Sequence, residues 1–381
     1  MGIKEDVEDG VKKNGIREPL ISDHASNKGH PWMVYFTTLV AVCGSYEFGT
    51  CAGYSSPTQD AIRTDLGLSL AEGPIPLDIG RLATGYGMGS FSYVVPVFIA
   101  EIAPKELRGA LTALNQFMIC GAVSVSFVIG NVLPWRTLAL IGLIPTGVLL
   151  LGLFIIPESP RWLAKRGRGK EFEAALRTLR GKDADISQEA DEIQDYITSL
   201  EQLPKPKLLE LFQTRYLRSV TIGIGLMVCQ QFGGINGICF YLSSIFELAG
   251  FSAFAGTVIY ACLQIVITGL GAALIDKAGR KPLLLVYIGS FSLGMGAVPW
   301  VVMSEIFPIN IKGLAGSVAT LVNWFGAWLC SYTFNFLMSW SSYGTFIVYA
   351  AINAVAIVFI IVVVPETKGK SLEELQASIN A

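Results

Sequence analysis

The stretch that decides the fold is Glu101-Ile102-Ala103-Pro104-Lys105-Glu106-Leu107-Arg108-Gly109, which recurs 204 residues later as Glu305-Ile306-Phe307-Pro308-Ile309-Asn310-Ile311-Lys312-Gly313. Five positions agree: an acid, an isoleucine, a proline, a basic residue and a glycine. A second pair of motifs, Pro157-Glu158-Ser159 and Pro365-Glu366-Thr367, comes after each copy, two apolar stretches later. The chain therefore consists of two related halves.

The composition predicts that lipid surrounds most of the chain. Hydrophobic residues make up 52% of it and charged residues only 15%, against about 25% charged residues in soluble domains. A helix that crosses a bilayer needs about 20 apolar residues. Nine stretches qualify, at 33–55, 77–100, 110–132, 136–157, 218–243, 252–275, 283–303, 313–338 and 344–364. We expect an all-α membrane protein with about nine spans. Gly85, Gly87 and Gly89 alternate in one span and are interpreted as a packing face.

The polar segments divide the chain into five regions. They are a cytoplasmic N-terminal tail (1–31), an N-terminal helix bundle (32–157), a cytoplasmic central loop (158–217), a C-terminal bundle (218–364) and a cytoplasmic C-terminal tail (365–381). Within the loop, 170–180 and 188–202 are predicted to be surface helices. This orientation leaves only Arg63, Arg81 and Arg136 of the 28 lysines and arginines off the cytoplasmic side, as the positive-inside rule requires. Two halves in a membrane are typical of transporters with a site between the repeats.

Several other classes of function are disfavoured. The net charge of -2 argues against a nucleic-acid partner. The seven cysteines form no Cys-x-x-Cys pair, and the only histidines, His24 and His30, lie in the polar tail. No metal site or cofactor is therefore expected, and no nucleophile–base set indicates an enzyme.

The repeat exposes a conflict in the number of spans. Two spans precede Glu101-Ile102-Ala103-Pro104, whereas three precede its counterpart within the second half. If both motifs lie on one face of the membrane, the two counts must share parity. The stretch 283–303 is the suspect, because basic residues hold both of its ends on the cytoplasmic side.

The motifs together resemble the sugar porter family of the major facilitator superfamily, and most closely the plant monosaccharide transporters related to the early-response-to-dehydration protein. The motifs that carry the resemblance are Gly80-Arg81-Leu82, Pro157-Glu158-Ser159-Pro160-Arg161-Trp162-Leu163, Gln230-Gln231-Phe232-Gly233-Gly234-Ile235-Asn236, Asp276-Lys277-Ala278-Gly279-Arg280-Lys281, Pro299-Trp300, Asn323-Trp324 and Pro365-Glu366-Thr367-Lys368-Gly369. The resemblance implies two pseudo-symmetric helix bundles.

The family plan has twelve helices, so the resemblance also implies that parts of the chain are missing. The second and third helices are absent between Glu72 and Leu77, and most of the ninth and the start of the tenth near Val286-Tyr287. The chain therefore resembles an alternatively spliced or mis-predicted product of a longer gene. Loss of one helix reverses the orientation of every later span, which agrees with the parity conflict.

A binding site for a neutral polyhydroxyl ring is predicted from amide and aromatic side chains, since amides both donate and accept hydrogen bonds. Gln230, Gln231 and Asn236 lie in an otherwise apolar stretch, and Gly233 and Gly234 are expected to loosen the helix there. Hydrogen bonding between helices is the alternative interpretation. The resemblance adds Gln116, Gln264, Trp300 and Asn323 to the site, with an interfacial anchor or packing as the alternative for Trp300.

A cytoplasmic gate and a possible charge site are also predicted. By resemblance, the gate that bridges the halves consists of Glu101, Arg108, Glu158, Arg161, Arg280, Glu305 and Glu366; plain snorkelling anchors are the alternative. Proton-coupled relatives have an acid where this chain has Cys51, which favours facilitated diffusion. Glu47 is the substitute proton site to consider, and Arg81 is its candidate partner within the span.

The expected function is transport of monosaccharides such as hexoses by alternating access, as a uniporter. Two alternatives remain open: a proton-coupled sugar or polyol symporter, and a non-transporting truncated isoform. The partners expected are a monosaccharide and the lipid bilayer, in the vacuolar or the plasma membrane.

Overall fold

The computed structural model describes residues 32–67, 75–104, 107–181, 183–202, 207–278, 298–308 and 311–367, and all regular structure within them is helical. The helices are α1 (Trp32–Leu66), α2 (Ile75–Ile102), α3 (Arg108–Gly130), α4 (Trp135–Leu153), α5 (Pro160–Lys165), α6 (Gly169–Arg180), α7 (Ser187–Glu201), α8 (Thr214–Phe232), α9 (Ile235–Phe240), α10 (Leu242–Leu248), α11 (Ala253–Ala278), α12 (Val298–Ile306), α13 (Lys312–Trp340) and α14 (Ser342–Val363). A 3₁₀ turn, Leu208–Phe212, precedes α8.

Seven helical segments in the described part of the chain are long and apolar enough to cross a bilayer: Ile79–Ile102, Ala110–Gly130, Trp135–Leu153, Tyr216–Phe240, Ala253–Leu270, Lys312–Trp340 and Ser342–Val363. Two of the nine predicted spans are not among them. The stretch 33–55 forms part of α1, a helix of 35 residues whose second half is polar. Most of 283–303 lies outside the described residues.

The first half is organised around α1, which packs against α2, α3 and α4. Gly49 and Gly53 of α1 face α3 so closely that an added Cβ at either would overlap it, at Ile119 or at Val123 and Ser126. Small residues let membrane helices approach in this way and gain van der Waals contact.

The second half is organised around α8, which packs against α12, α13 and α14. Ile222, Leu226 and Met227 of α8 are fully buried in the core of this half. The ring of Phe307, just beyond the end of α12, lies over Gly223, where an added Cβ would come within 2.5 Å of it.

The two halves meet mainly where α3 packs against α11. Ser124 of α3 donates a hydrogen bond to the carbonyl of Ala261 at 3.2 Å, and Asn131 donates to the hydroxyl of Thr257 at 3.0 Å. A second contact joins Ser56 of α1 to Ser243 of α10 at 3.1 Å.

The two surface helices predicted in the central loop are confirmed as α6 and α7. They form a small core with α5, and Leu179 of α6 is buried in the core of the first half. The guanidinium of Arg180 donates to the carbonyl of Ile102, the last residue of α2, at 2.8 Å and forms a bidentate pair with Glu189 of α7. The loop helices are therefore fixed to the C-terminal end of α2.

One face of α2 has no packing partner in the part of the chain that the structure describes. Leu82 is 77% exposed and Tyr86 81% exposed, and an added Cβ at Gly85, Gly87 or Gly89 would meet nothing within 4 Å. The prediction that these glycines form a packing face is therefore not met by any described residue. The boundaries of the five predicted regions stay a proposal.

Candidate functional site

The break between α8 and α9 is the backbone feature on which the candidate site depends. Helix α8 ends at Phe232, and Gly234 has φ +92°, a conformation that glycine adopts without a steric penalty. An added Cβ at Gly234 would come within 2.8 Å of the Tyr349 ring. The predicted loosening at Gly233 and Gly234 is confirmed, and it turns the chain so that Asn236 faces back towards α8.

Gln231 is the centre of an amide cluster. Its side-chain nitrogen donates to Oδ1 of Asn323 on α13 at 2.6 Å, and its Oε1 accepts a short hydrogen bond from Asn236 on α9. Gln231 and Asn323 are both buried. Three of the predicted binding residues, from three helices, are therefore in one place, and Gln230 is buried beside them.

An aromatic pair places the first half next to this cluster. Phe48 of α1 and Trp324 of α13 lie with ring centroids 5.9 Å apart and tilted by 57°. The indole N–H of Trp324 is buried and has no hydrogen-bond partner among the described residues. The sequence analysis names Trp324 as part of a motif but not as a candidate site residue. Its position directly after Asn323 is the signal that could have identified it.

Gln116 and Gln264 lie at the packed boundary of α3 and α11. The amide of Gln116 donates to the Cys120 sulfur at 3.4 Å. Oε1 of Gln264 is buried without a hydrogen-bond partner in the described part of the chain. Trp300 of α12 is 38% exposed, and no polar contact between described residues joins it to the amide cluster. The predicted set therefore divides into a connected cluster and three peripheral residues.

Such a cluster suits a neutral ligand that carries hydroxyl groups. Buried amides offer donors and acceptors without net charge, and an unsatisfied buried polar atom is costly. The orphan atoms of Gln264 and Trp324 are therefore places where a ligand hydroxyl would be stabilising.

The possible charge site is not an ion pair. Glu47 of α1 accepts a hydrogen bond from the Cys51 thiol at 3.4 Å, and no ion pair joins it to Arg81, which is exposed on α2. No such pair forms between the described side chains, and the charge site stays a prediction. Helix geometry explains the contact that forms, because Glu47 and Cys51 are four residues apart on one face of α1.

The predicted gate residues that the structure describes lie at or near helix ends. Glu101 accepts a hydrogen bond from the Ser159 hydroxyl at 2.5 Å. Glu158 and Glu366 each accept from the backbone N–H of the next residue, at 3.2 and 3.0 Å. The guanidinium of Arg161 lies 5.7 Å from the ring centre of Tyr196.

Of the three remaining gate residues, two lie at helix ends and one lies outside the described residues. Arg108 and Glu305 are half-buried at the start of α3 and the end of α12, and Arg280 lies outside the described residues.

The family described as "Sugar (and other) transporter" matches this chain over residues 23–287 and again over 283–378. "Sugar transporter ERD6-like 7" of Arabidopsis thaliana is 58% identical over 457 positions, which cover 96% of this chain and 99% of that protein. "Sugar transporter ERD6-like 16" of the same plant is 49% identical over 478 positions, covering 100% of this chain and 99% of that protein.

These alignments are longer than the chain. The first has 457 positions, 76 more than the 381 residues present here, so the relative has segments without a counterpart in this chain. The two family matches overlap at residues 283–287. This is where the sequence predicts the loss of parts of two helices.

Solved structures share the fold. The partially occluded inward-open conformation of the xylose transporter XylE from E. coli matches with a TM-score of 0.70, 24% identity and coverage of 89% of this chain and 100% of that one. The inward-open conformation of XylE matches with a TM-score of 0.65, 26% identity and coverage of 91% and 88%.

Proposed function

Since this chain belongs to the family of sugar transporters, we propose that it moves monosaccharides such as hexoses across a membrane by facilitated diffusion. Membership makes it a multi-pass membrane protein of the major facilitator type that works by alternating access. The observation that carries the choice of substrate is the cluster of Gln231, Asn236 and Asn323, in which Gln231 and Asn323 are buried. Asn323 lies eleven residues into α13, about 16 Å along the helix and close to half of a hydrocarbon core of about 30 Å.

The proposal of facilitated diffusion rests on Cys51 and its surroundings. A thiol is a poor proton carrier at neutral pH, and Cys51 uses its proton in a hydrogen bond to Glu47. Glu47 remains the alternative proton site. A protonophore that leaves uptake unchanged, together with a Glu47→Gln variant of unchanged pH dependence, supports a uniporter. Loss of uptake with the protonophore supports the symporter instead.

Uptake of radiolabelled D-glucose and D-fructose by a yeast strain without hexose transporters tests the substrate class. We expect Asn323→Ala to lower the uptake rate at least tenfold, because it leaves the Gln231 amide without its buried partner. Gln188→Ala, which removes an amide from the exposed face of α7, is the matched control and should retain the wild-type rate. Equal rates for both variants at equal expression contradict the proposed site.

The gate is proposed on chemistry and position. Its residues are predicted to lie at the cytoplasmic ends of both halves. A carrier needs contacts there that break when it opens inwards, with a difference of a few kcal/mol between states. Cysteine pairs introduced at Glu101 and Glu305 test this, since cross-linking of a gate should slow uptake and reduction should restore it. Uptake that is insensitive to the cross-link indicates plain anchors.

The truncated, non-transporting product is the second candidate, and specific observations favour it. The alignment with ERD6-like 7 contains at least 76 positions that this chain lacks, and α2 exposes large apolar side chains with no described partner. Co-expression with a longer relative separates the candidates. Reduced uptake by the relative, with none by this chain alone, supports the second candidate; uptake by this chain alone excludes it.

The membrane in which the protein resides is proposed to be the vacuolar or the plasma membrane. A fluorescent fusion imaged against markers of both membranes distinguishes them. The five predicted regions are proposed as the topology, and protease accessibility of tags in the central loop tests their cytoplasmic placement.

A further inference from the structure

A cavity with both polar and apolar walls lies away from the amide cluster, between the ends of α1, α10 and α13. Its volume is about 180 Å³. The residues that line it and carry polar groups are Gln59, Asp60, Arg63, Tyr241, Ser244 and Asn335. None of them belongs to the predicted substrate site or to the gate.

Helix geometry separates the two places. Asn335 and Asn323 are twelve residues apart on α13, which is about 18 Å along the helix axis. Arg63 lies near the end of α1, and α1 leads away from the cytoplasmic tail. The cavity is therefore on the non-cytoplasmic side of the amide cluster, where a solute meets the protein or leaves it.

An aromatic stack forms part of the cavity wall. The rings of Tyr241 and Phe334 are stacked, with centroids 5.0 Å apart and planes 6° apart. The Asn335 amide donates to the Tyr241 hydroxyl at 2.9 Å, which fixes both side chains. Phe334 itself is fully buried, stacked on Tyr241 and on Tyr349. The half-buried Tyr241 ring is therefore the aromatic surface on which apolar C–H groups of a ligand can pack, while the neighbouring amide and hydroxyls offer hydrogen bonds.

The cavity contains one acidic and one basic side chain, and the two do not form a close ion pair. The guanidinium of Arg63 lies 3.7 Å from the Asp60 carboxylate, longer than a hydrogen bond, with both side chains partly exposed. Both groups therefore keep hydrogen-bonding capacity for a ligand. Because one acid faces one base, the cavity has no net attraction for an anion or a cation, which favours a neutral ligand.

We propose that this outer cavity binds one neutral monosaccharide ring, as a second site in addition to the amide cluster. The volume suits one small ring, because pockets for larger ligands begin at roughly 300 Å³. The ligand class rests on the proposed function, whereas the existence of a second site rests on the cavity itself. Sugar held here is concentrated at the entrance of the transport path.

Isothermal titration of the purified full chain with D-glucose and D-fructose tests the proposal by stoichiometry. We expect two sugars per wild-type chain, one for Asn323→Ala, and one for Asn335→Ala and for Arg63→Gln. Ser339→Ala, an exposed change on the same end of α13, is the matched control and should retain two. D-glucuronate, an anion of similar size, should not occupy the outer cavity.

The outcomes separate this proposal from the proposed function. One sugar per wild-type chain, with uptake intact, overturns the outer site and leaves the transporter proposal standing. No binding and no uptake overturns both. Two sugars bound by Asn335→Ala and Arg63→Gln, each eluting as a monodisperse peak, also overturns the outer site. The two substitutions lie on different helices, so a folding defect in one does not decide the result.

Discussion

The ends of the two halves that carry the repeated Pro-Glu motifs share one local contact but are held by different forces. In the first half, Ser159 N–H donates to the carboxylate of Glu158 at 3.2 Å; in the second, Thr367 N–H donates to that of Glu366 at 3.0 Å. Ser159 and Thr367 are both buried. The repeat detected in the sequence is therefore also a repeat of local geometry.

The side chains at the two ends make different contacts. The Ser159 hydroxyl binds Glu101, whereas the buried hydroxyl of Thr367 has no hydrogen-bond partner among the described residues. At the third position of the other repeated motif, Ala103 is small while Phe307 fills the space above Gly223. Polar contacts hold the end of the first half, and packing holds the end of the second.

The largest expected effect is at the packed end. Phe307→Ala should lower the free energy of unfolding by roughly 3 kcal/mol, because a buried ring leaves a cavity. Unfolding in mixed detergent measures it. Phe336→Ala, at an exposed aromatic on α13, is the control and should change stability by less than about 0.5 kcal/mol. Equal losses would show that Phe307 is not a packing centre.

The second-largest effect on stability is expected at the polar end of the first half, where Ser159 contacts Glu101. Ser159→Ala should cost about 2 kcal/mol, because it removes a hydrogen bond to a charged group. Thr367→Val should cost nothing or be stabilising, since it removes a buried hydroxyl that has no partner among the described residues. A double-mutant cycle of Ser159→Ala with Glu101→Gln measures the coupling; additive effects would mean that the 2.5 Å contact contributes no stability.

A smaller effect is expected where the loop helices hold α2. Arg180→Gln removes the bidentate pair with Glu189 and the hydrogen bond to the Ile102 carbonyl, which should cost about 1 kcal/mol. Limited proteolysis of the central loop should also accelerate. Arg177→Gln, on the exposed side of α6, is the matched control. If both variants resist proteolysis equally, Arg180 does not fix the loop to α2.

The smallest effect is expected at the ends of the halves that lie away from the repeated motifs. Asp65 accepts hydrogen bonds from Trp135 at 2.9 Å and Arg136 at 3.0 Å, and these lower the pKa of its carboxyl. The start of α14 is instead capped by the Ser341 hydroxyl, which does not titrate. A lowered pKa in the folded state means a contribution present above the ordinary value of about 3.9 and lost as pH falls through the folded value.

Thermal unfolding between pH 6 and pH 3 checks this sign. The melting temperature of wild type should fall slightly more on acidification than that of Asp65→Asn, which has no carboxyl to protonate. The difference should be small, because Asp65 is exposed and solvent screens it. Identical pH profiles would show that the contact does not stabilise the join of α1 and α4.

Sequence reasoning predicted which kinds of side chain form the site but not which atoms meet. Gln230 and Gln231 are neighbours on one helix, and successive residues point about 100° apart. Sequence pattern alone cannot choose between them, and the structure places Gln231, not Gln230, between Asn236 and Asn323. The sequence could not decide whether Glu47 and Arg81 pair for the same reason, since each lies on a helix whose rotation the sequence does not specify.

The sequence by itself determined the solvent, the helical class and the two-fold repeat. Those properties depend on sums over apolar residues and on spacing along one chain, which need no knowledge of contacts. Only the tertiary structure decided that Ser159 reaches Glu101, that Gln231 joins Asn236 and Asn323, and that α1, α10 and α13 border a cavity of about 180 Å³. Each depends on how helices approach and rotate against one another, and that is set by packing between residues far apart in the chain.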